Sequence, residues 1–156
     1  MTKISEVRPG LARWAAVPLR LIVGYGFMQH GYAKLARGPG QFAAVLHALG
    51  IPAPEVSGPV TIAVELLGGL AVLSGVLVPL VSVPLAAILL VAMFKVHLAY
   101  GFNSVKLLAV TDAGPQFGRP GYEVTLLYLG CLAALALGGS GPCSVDRLLS
   151  RPKTRA

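Results

Sequence analysis

The sequence is short of charge. Of its 156 residues only 12% are Asp, Glu, Lys or Arg, about half the share found in a typical soluble domain (about 25%). Acidic residues are the scarcer sign, 6 against 13 Lys and Arg, for a formal net charge of +7. Hydrophobic residues make up 55% of the chain, and the mean hydropathy is +0.74. A soluble globule of this size cannot hide so much apolar surface, so the composition points to an integral membrane protein. The positive excess gathers in the tails, and neither a base-reading motif nor an aromatic–basic stripe accompanies it, which sets nucleic acid aside as a partner. Cysteine is also sparse. Cys131 and Cys143 are the only two; a helical separation of about 18 Å is too far for a bond within one helix, and no C-x-x-C occurs. They read as free thiols. The chain also lacks a phosphate-cradling glycine loop, an acyl-transfer triad and a cysteine metal knot, which argues against a complete enzyme acting alone.

Long apolar runs are what the chain has instead. Four are expected to span a bilayer, over about 14–33, 57–77, 84–100 and 121–137, each near the roughly 20 residues that a hydrocarbon core of about 30 Å requires. Together they predict a single-domain, all-α, integral membrane four-helix bundle. Trp14 opens the first run as an interfacial aromatic. Arg20 interrupts that run, and Gly31-Tyr32-Ala33-Lys34 makes a poor cleavage site, so the segment is expected to stay as an anchor. Between the first two runs, Phe42, Val45, Leu46 and Leu49 recur at helical spacing and predict a short interfacial helix over 41–49. Val78 to Pro84 is expected to be a short turn without charges, and 101–120 a polar loop. Gly130, Ala134 and Gly138, spaced i, i+4, i+8, are expected to let helices approach closely. Ser144 is positioned to cap a short helix through Leu149.

Four spans put both termini on one side. The tails carry more Lys and Arg than the opposite loops, which hold Lys34, Arg37, Lys106 and Arg119, so both termini are expected in the cytoplasm of a multi-pass protein of the cell membrane. His30 and Lys34 then fall at the outer end of the first span, Glu65 in the outer half of the second, His97 near the end of the third and Glu123 at the start of the fourth. Ionisable groups are costly at such depths and face a bundle interior or a wet cavity. His30, Glu65 and His97 are expected to converge inside the bundle, with Lys34 and Glu123 at the rim, as a ligand-binding pocket. On the cytoplasmic side Arg20 is expected to form a structural ion pair with Asp146.

Arg20 with Gly24, His30-Gly31-x-x-Lys34, Glu65-x-x-Gly68-Gly69, His97, Gly121-x-Glu123 and Gly141-Pro142 followed by Ser144-Val145-Asp146 come in an order that resembles the DoxX family of small four-helix membrane proteins. The resemblance implies a membrane bundle with an oxidoreductase or quinone-linked role, since some relatives look like subunits of thiosulfate:quinone oxidoreductases and others accompany redox or sulfur enzymes. Quinone is the first expectation for a cofactor, with haem or a metal held by His30 and His97 as an alternative. Other readings stay open: a non-enzymatic scaffold that docks a soluble or membrane redox or sulfur-metabolism partner, a binder or carrier of a small apolar molecule, and, for the polar residues, hydrogen-bonding glue between helices. The lipid bilayer is an expected partner in every case, and a second copy of the chain a further candidate.

Overall fold

The computed structural model describes residues 9–149. A short helix α1 (Pro9–Ala12) and a 3-10 turn over Arg13–Ala15 lead into α2 (Ala16–Arg37). Gly38 (φ 99°) stops α2, a backbone angle that only glycine adopts at no steric cost, and Pro39 starts α3 (Pro39–Ala48) with its ring preset for the first turn. Helix α4 (Pro54–Ser74) ends at the left-handed Gly75. Helix α5 (Val78–Ala92) continues through a π-helical stretch, Met93–His97, and a 3-10 turn, Leu98–Tyr100. A two-stranded antiparallel hairpin follows, β1 (Leu107–Thr111) and β2 (Gly114–Phe117), then α6 (Glu123–Gly138) and a terminal turn of helix, α7 (Val145–Leu149).

The chain is mostly helical, and two helical stretches are long and apolar enough to cross a membrane: Pro54–Ser74 and Val78–Tyr100. Their apolar surface faces outward. Only 33% and 17% of their most apolar windows are buried, and Leu67, Leu80, Val83 and Leu90 are among many large side chains left exposed. In water such a skin is an aggregation surface; in hydrocarbon it is the expected exterior. The interior is small: Val23, Phe27, Val72, Val78, Leu85, Leu132 and Leu135 form one cluster drawn from α2, α4, α5 and α6. Helix α2 packs on α4 and α6, and α5 packs on the same two; α3 lies against α4.

The α2–α4 contact is the most extensive, and glycine makes it possible. A Cβ on Gly24 would sit 2.7 Å from the Gly69 carbonyl oxygen, and one on Gly69 would sit 2.8 Å from the Gly24 carbonyl oxygen. The two backbones therefore touch directly, as small residues permit between helices in lipid. The expected row on α6 behaves differently. A Cβ on Gly130 or Gly138 would meet nothing within 4 Å, and Ala134 is exposed. That row faces outward because Thr125, Leu132 and Leu135 present the other side of α6 to the core.

Two other expectations change. Val78 to Pro84 is not a turn: it forms the opening turns of α5, and the connection shrinks to Gly75–Leu77. Its apolar backbone can satisfy its polar groups only by being helical, and Ser82 adds a bond from its hydroxyl to the Val78 carbonyl (2.7 Å). The 101–120 loop contains the hairpin, so the fold is not wholly α. Ser144 does precede α7, and its hydroxyl donates back to the Gly141 carbonyl (2.9 Å).

Candidate functional site

Helices α2 and α4 run antiparallel, as the facing pairs Gly24–Gly69 and Gly31–Ile62 require. This places the polar residues of α2 at two separate ends of the seam.

At one end Arg20 is buried at 3% exposure. Its guanidinium donates to the carbonyl oxygens of Ser140 (2.7 Å) and Cys143 (3.1 Å), while Nε has no partner. Gly75 leaves room for it, since a Cβ there would collide with the guanidinium and with Ser144. The expected Arg20–Asp146 ion pair does not form. Asp146 Oδ2 accepts from the backbone N–H of Leu77 (2.9 Å), at the start of α5, where an anion also meets the positive end of the helix dipole. Arg20 thus ties the α6–α7 connection to α2, and Asp146 ties α7 to the α4–α5 turn, each through backbone groups. A backbone acceptor has no desolvated countercharge to hold, so the charge of Arg20 is spread over fixed dipoles.

At the other end Lys34 Nζ donates to both oxygens of Glu65, at 2.6 and 2.5 Å. Glu65 is buried, and Lys34 is partly exposed. Gly31 lets α2 come close enough for this, facing Leu66, the Glu65 Cβ and the Ile62 carbonyl. Lys34 also lies 5.2 Å from the centre of the Phe42 ring, so α3 closes over the ammonium with a cation–π contact. His30 stands one turn before Lys34 on α2, close enough to Lys34, Glu65 and His97 to interact electrostatically with each. Contrary to the expectation of a buried group, it is exposed on the outside of the helix.

His97 ends the π-helical stretch and is half-buried, its Nδ1 lying 3.3 Å from the Pro120 carbonyl oxygen. A π-turn inserts an extra residue into the helical repeat and so re-aims the side chains beyond it; such turns occur disproportionately at functional sites. Lys95, on the same turn, is exposed. Glu123 does not stand at a rim with Lys34. Its Oε2 accepts from the Ser104 N–H (2.9 Å), and the Val124 N–H donates to Ser104 Oγ (3.3 Å), a reciprocal pair that pins the loop before the hairpin to the start of α6.

Four of the five expected site residues are therefore grouped at one end (His30, Lys34, Glu65 and His97), and Glu123 serves the neighbouring loop. Phe42, Ser104 and the π-turn are additions without a sequence signature, since each acts through a tertiary contact or a backbone register. Of two cavities, neither is lined by His30, Lys34, Glu65 or His97, and the larger one reaches Glu123. One, of about 490 Å³, runs along α6 past Leu126, Gly130 and Ala134; the other, of about 260 Å³, lies among Arg13, Trp14, Cys143 and Arg147. Among the described residues no three of His, Cys, Asp and Glu come together as metal ligands.

A largely helical chain with an outward apolar skin and ionisable groups held between helix backbones is a membrane protein. The DoxX family model matches residues 15–98, more than half of the chain, and the protein belongs to the DoxX family. The match takes in Arg20, His30, Lys34, Glu65 and His97; the hairpin, Glu123 and Asp146 lie beyond it. Comparison with curated proteins and with solved structures finds no match.

Proposed function

We propose that α2, α4, the run from α5 to Tyr100, and α6 are the four spans of one bundle with both termini in the cytoplasm, and that the chain is a subunit of a membrane oxidoreductase whose Lys34–Glu65 end exchanges protons with a quinone. One observation carries the reading: a buried carboxylate held by a lysine, with His30 in electrostatic range of both and of His97. Helix α2 has 22 residues, about 33 Å, and its bases are neutralised by position: Arg20 against carbonyls, Lys34 against Glu65, and Arg37 at the end. Helix α6, at 16 residues, is short, a mismatch that local thinning of the bilayer accommodates.

A quinone, when bound, is the electron-accepting group, and its electrons come from a redox partner. The chain supplies the proton side. His30, exposed on α2, can be reached laterally from lipid, so a headgroup need not enter a closed cavity. Its imidazole offers a hydrogen bond to a quinone carbonyl, Glu65 and Lys34 hold a charge pair beside it, and His97 supplies a second imidazole at the same end. A haem or metal has a thinner donor set here, the two histidines alone. A scaffold that docks a soluble partner is the second reading. It is favoured by the saturation of Lys34, which already has Glu65 and Phe42 and so has no need of a ligand.

Titration calorimetry of the protein in nanodiscs with a short-chain quinone tests the choice. Saturable binding, weakened several-fold in His97→Ala at unchanged melting temperature, is the expected result. No binding to the wild type, together with co-purification of a soluble partner, supports the scaffold. Orientation can be read from a native residue. Cys143 is exposed on the side of the termini, so an impermeant maleimide should leave it unlabelled in intact cells and label Asp112→Cys; the reverse pattern inverts the topology.

A further inference from the structure

The hairpin between His97 and α6 is built as a projection with one apolar face and nothing on it. Leu107 pairs with Phe117 and Val110 with Pro115, while Ala109 pairs with Gln116 and Thr111 with Gly114. Paired residues share a face and alternate residues along a strand return to it. Leu107, Val110, Pro115 and Phe117 therefore occupy one face, and Ala109, Thr111, Gln116 and Gly114 the other. An irregularity between Leu107 and Ala109 takes up Leu108 and keeps the apolar residues in phase. Exposure is high along this face: Leu107 58%, Val110 74% and Phe117 59%. The strands have at most marginal contact with the helices.

The base, by contrast, is fixed. The Gly118 N–H donates to the Lys106 carbonyl (2.8 Å), Gly121 N–H to Asn103 (3.0 Å) and Glu123 N–H to Phe102 (3.0 Å). Gly121 leaves no room for a side chain among the Gly101, Phe102 and Asn103 carbonyls. Arg119 donates to the Tyr100 hydroxyl at 2.7 Å and lies 5.5 Å from its ring. The hairpin is thus held at a set angle where two apolar helical runs end.

We propose that this hairpin lies on the surface of the bilayer, with Leu107, Val110 and Phe117 in the interfacial region and Lys106 and Arg119 against lipid phosphates. The inference rests on the four-span reading, which places the ends of the third and fourth spans at that surface. Three features select lipid over a protein partner. Cationic side chains flank the apolar strands at the base, where headgroups lie, and the single acid, Asp112, sits in the turn farthest from it. The opposite face carries Ala109, Thr111, Gln116 and Gly114 with no charged side chain, and Leu108 from the irregularity beside Gly118. An isolated two-stranded hairpin is marginal in water, whereas an interface takes up its apolar face while headgroup water still reaches the free strand edges.

The test uses full-length protein in vesicles of phosphatidylcholine and phosphatidylglycerol. Trp14 is the only tryptophan, so Trp14→Phe gives a silent background. Val110→Trp, on the apolar face, should show blue-shifted emission, strong quenching by lipid brominated near the headgroup and several-fold protection from aqueous iodide. Thr111→Trp, on the other face, should show red emission and full iodide access. A third variant, Leu127→Trp on the exposed side of α6, should be quenched by lipid brominated deep in the chain. Equal iodide access at 110 and 111 overturns the proposal, as does protection of 110 that disappears on dilution with lipid, which would assign the face to a second copy. If Leu127→Trp is not quenched by deep bromine, the four-span reading falls with it; if only Val110→Trp fails, the span reading stands.

Discussion

Helix α2 carries two basic residues that are drawn into the protein, and they are treated in opposite ways. Arg20 meets carbonyl oxygens of Ser140 and Cys143 and no carboxylate; Lys34 meets Glu65. Arginine cannot lose its proton in a protein, and carbonyls do not titrate, so the Arg20 end is a fixed electrostatic knot at any physiological pH. The Lys34 end instead pairs a lysine with a carboxylate, with His30 exposed beside them. One end of the seam is held by backbone dipoles and the other by an ion pair.

The largest expected effect is at the fixed end. Arg20→Ala removes two charge-assisted bonds and leaves the Ser140 and Cys143 carbonyls without that donor, which should cost about 4 kcal/mol, read as a large fall in melting temperature in detergent. Arg20→Lys should recover little, because one ammonium does not reproduce the planar fork that spans both carbonyls. Asp146→Asn should be nearly silent, since the amide oxygen still accepts from Leu77. An Asp146→Asn loss as large as that of Arg20→Ala would restore the ion pair.

The seam that keeps the ends apart comes next. Gly24→Ala forces a methyl onto the Gly69 carbonyl and should cost about 3 kcal/mol through overpacking. Gly130→Ala, where nothing lies nearby, should be neutral or stabilising by up to about 1 kcal/mol. Equal losses in thermal melts would mean that the α6 row packs against a partner after all.

The sequence announces the helices because in lipid an apolar run has few alternatives, and helix arithmetic brings Lys34 and Glu65 to one depth before any contact is known. It is silent where backbone groups are the partners. Nothing in the letters distinguishes an aspartate that will meet an arginine from one that will meet the Leu77 N–H. Small-residue spacing is equally ambiguous: Gly24 and Gly69 touch, whereas Gly130 and Gly138 form just as regular a row and touch nothing. The face a row presents depends on neighbouring helices, which periodicity does not encode. The register irregularity in β1 hides the hairpin's apolar face for the same reason, since it breaks the alternation by which a strand is recognised.

At the Lys34 end, Glu65→Gln strands Lys34 and Lys34→Met strands Glu65. Each should cost about 2 kcal/mol, below the roughly 3–5 kcal/mol of a fully buried pair, because Lys34 keeps part of its surface outside. The double variant Lys34→Met with Glu65→Leu should melt closer to the wild type than either single one. Additive losses in that cycle would show that the pair is not the unit of stability.

The smallest effect on stability, and the sharpest test of the contrast, is expected at His30. The side chain is exposed and donates no bond to the core, so His30→Ala should move the stability by no more than about 0.5 kcal/mol. Its position beside the Lys34–Glu65 pair makes it the imidazole that a quinone headgroup would meet first from the lipid side, so the same substitution should weaken quinone binding several-fold. His30→Gln, which keeps a donor but cannot take up a proton near neutrality, separates two roles: retained affinity with lost pH dependence would make His30 a proton-exchanging group, and retained affinity with unchanged pH dependence would make it a hydrogen-bond donor only. If His30→Ala leaves quinone affinity untouched while the Lys34 and Glu65 variants unfold the protein, both ends of α2 are structural and the contrast between them is one of chemistry alone.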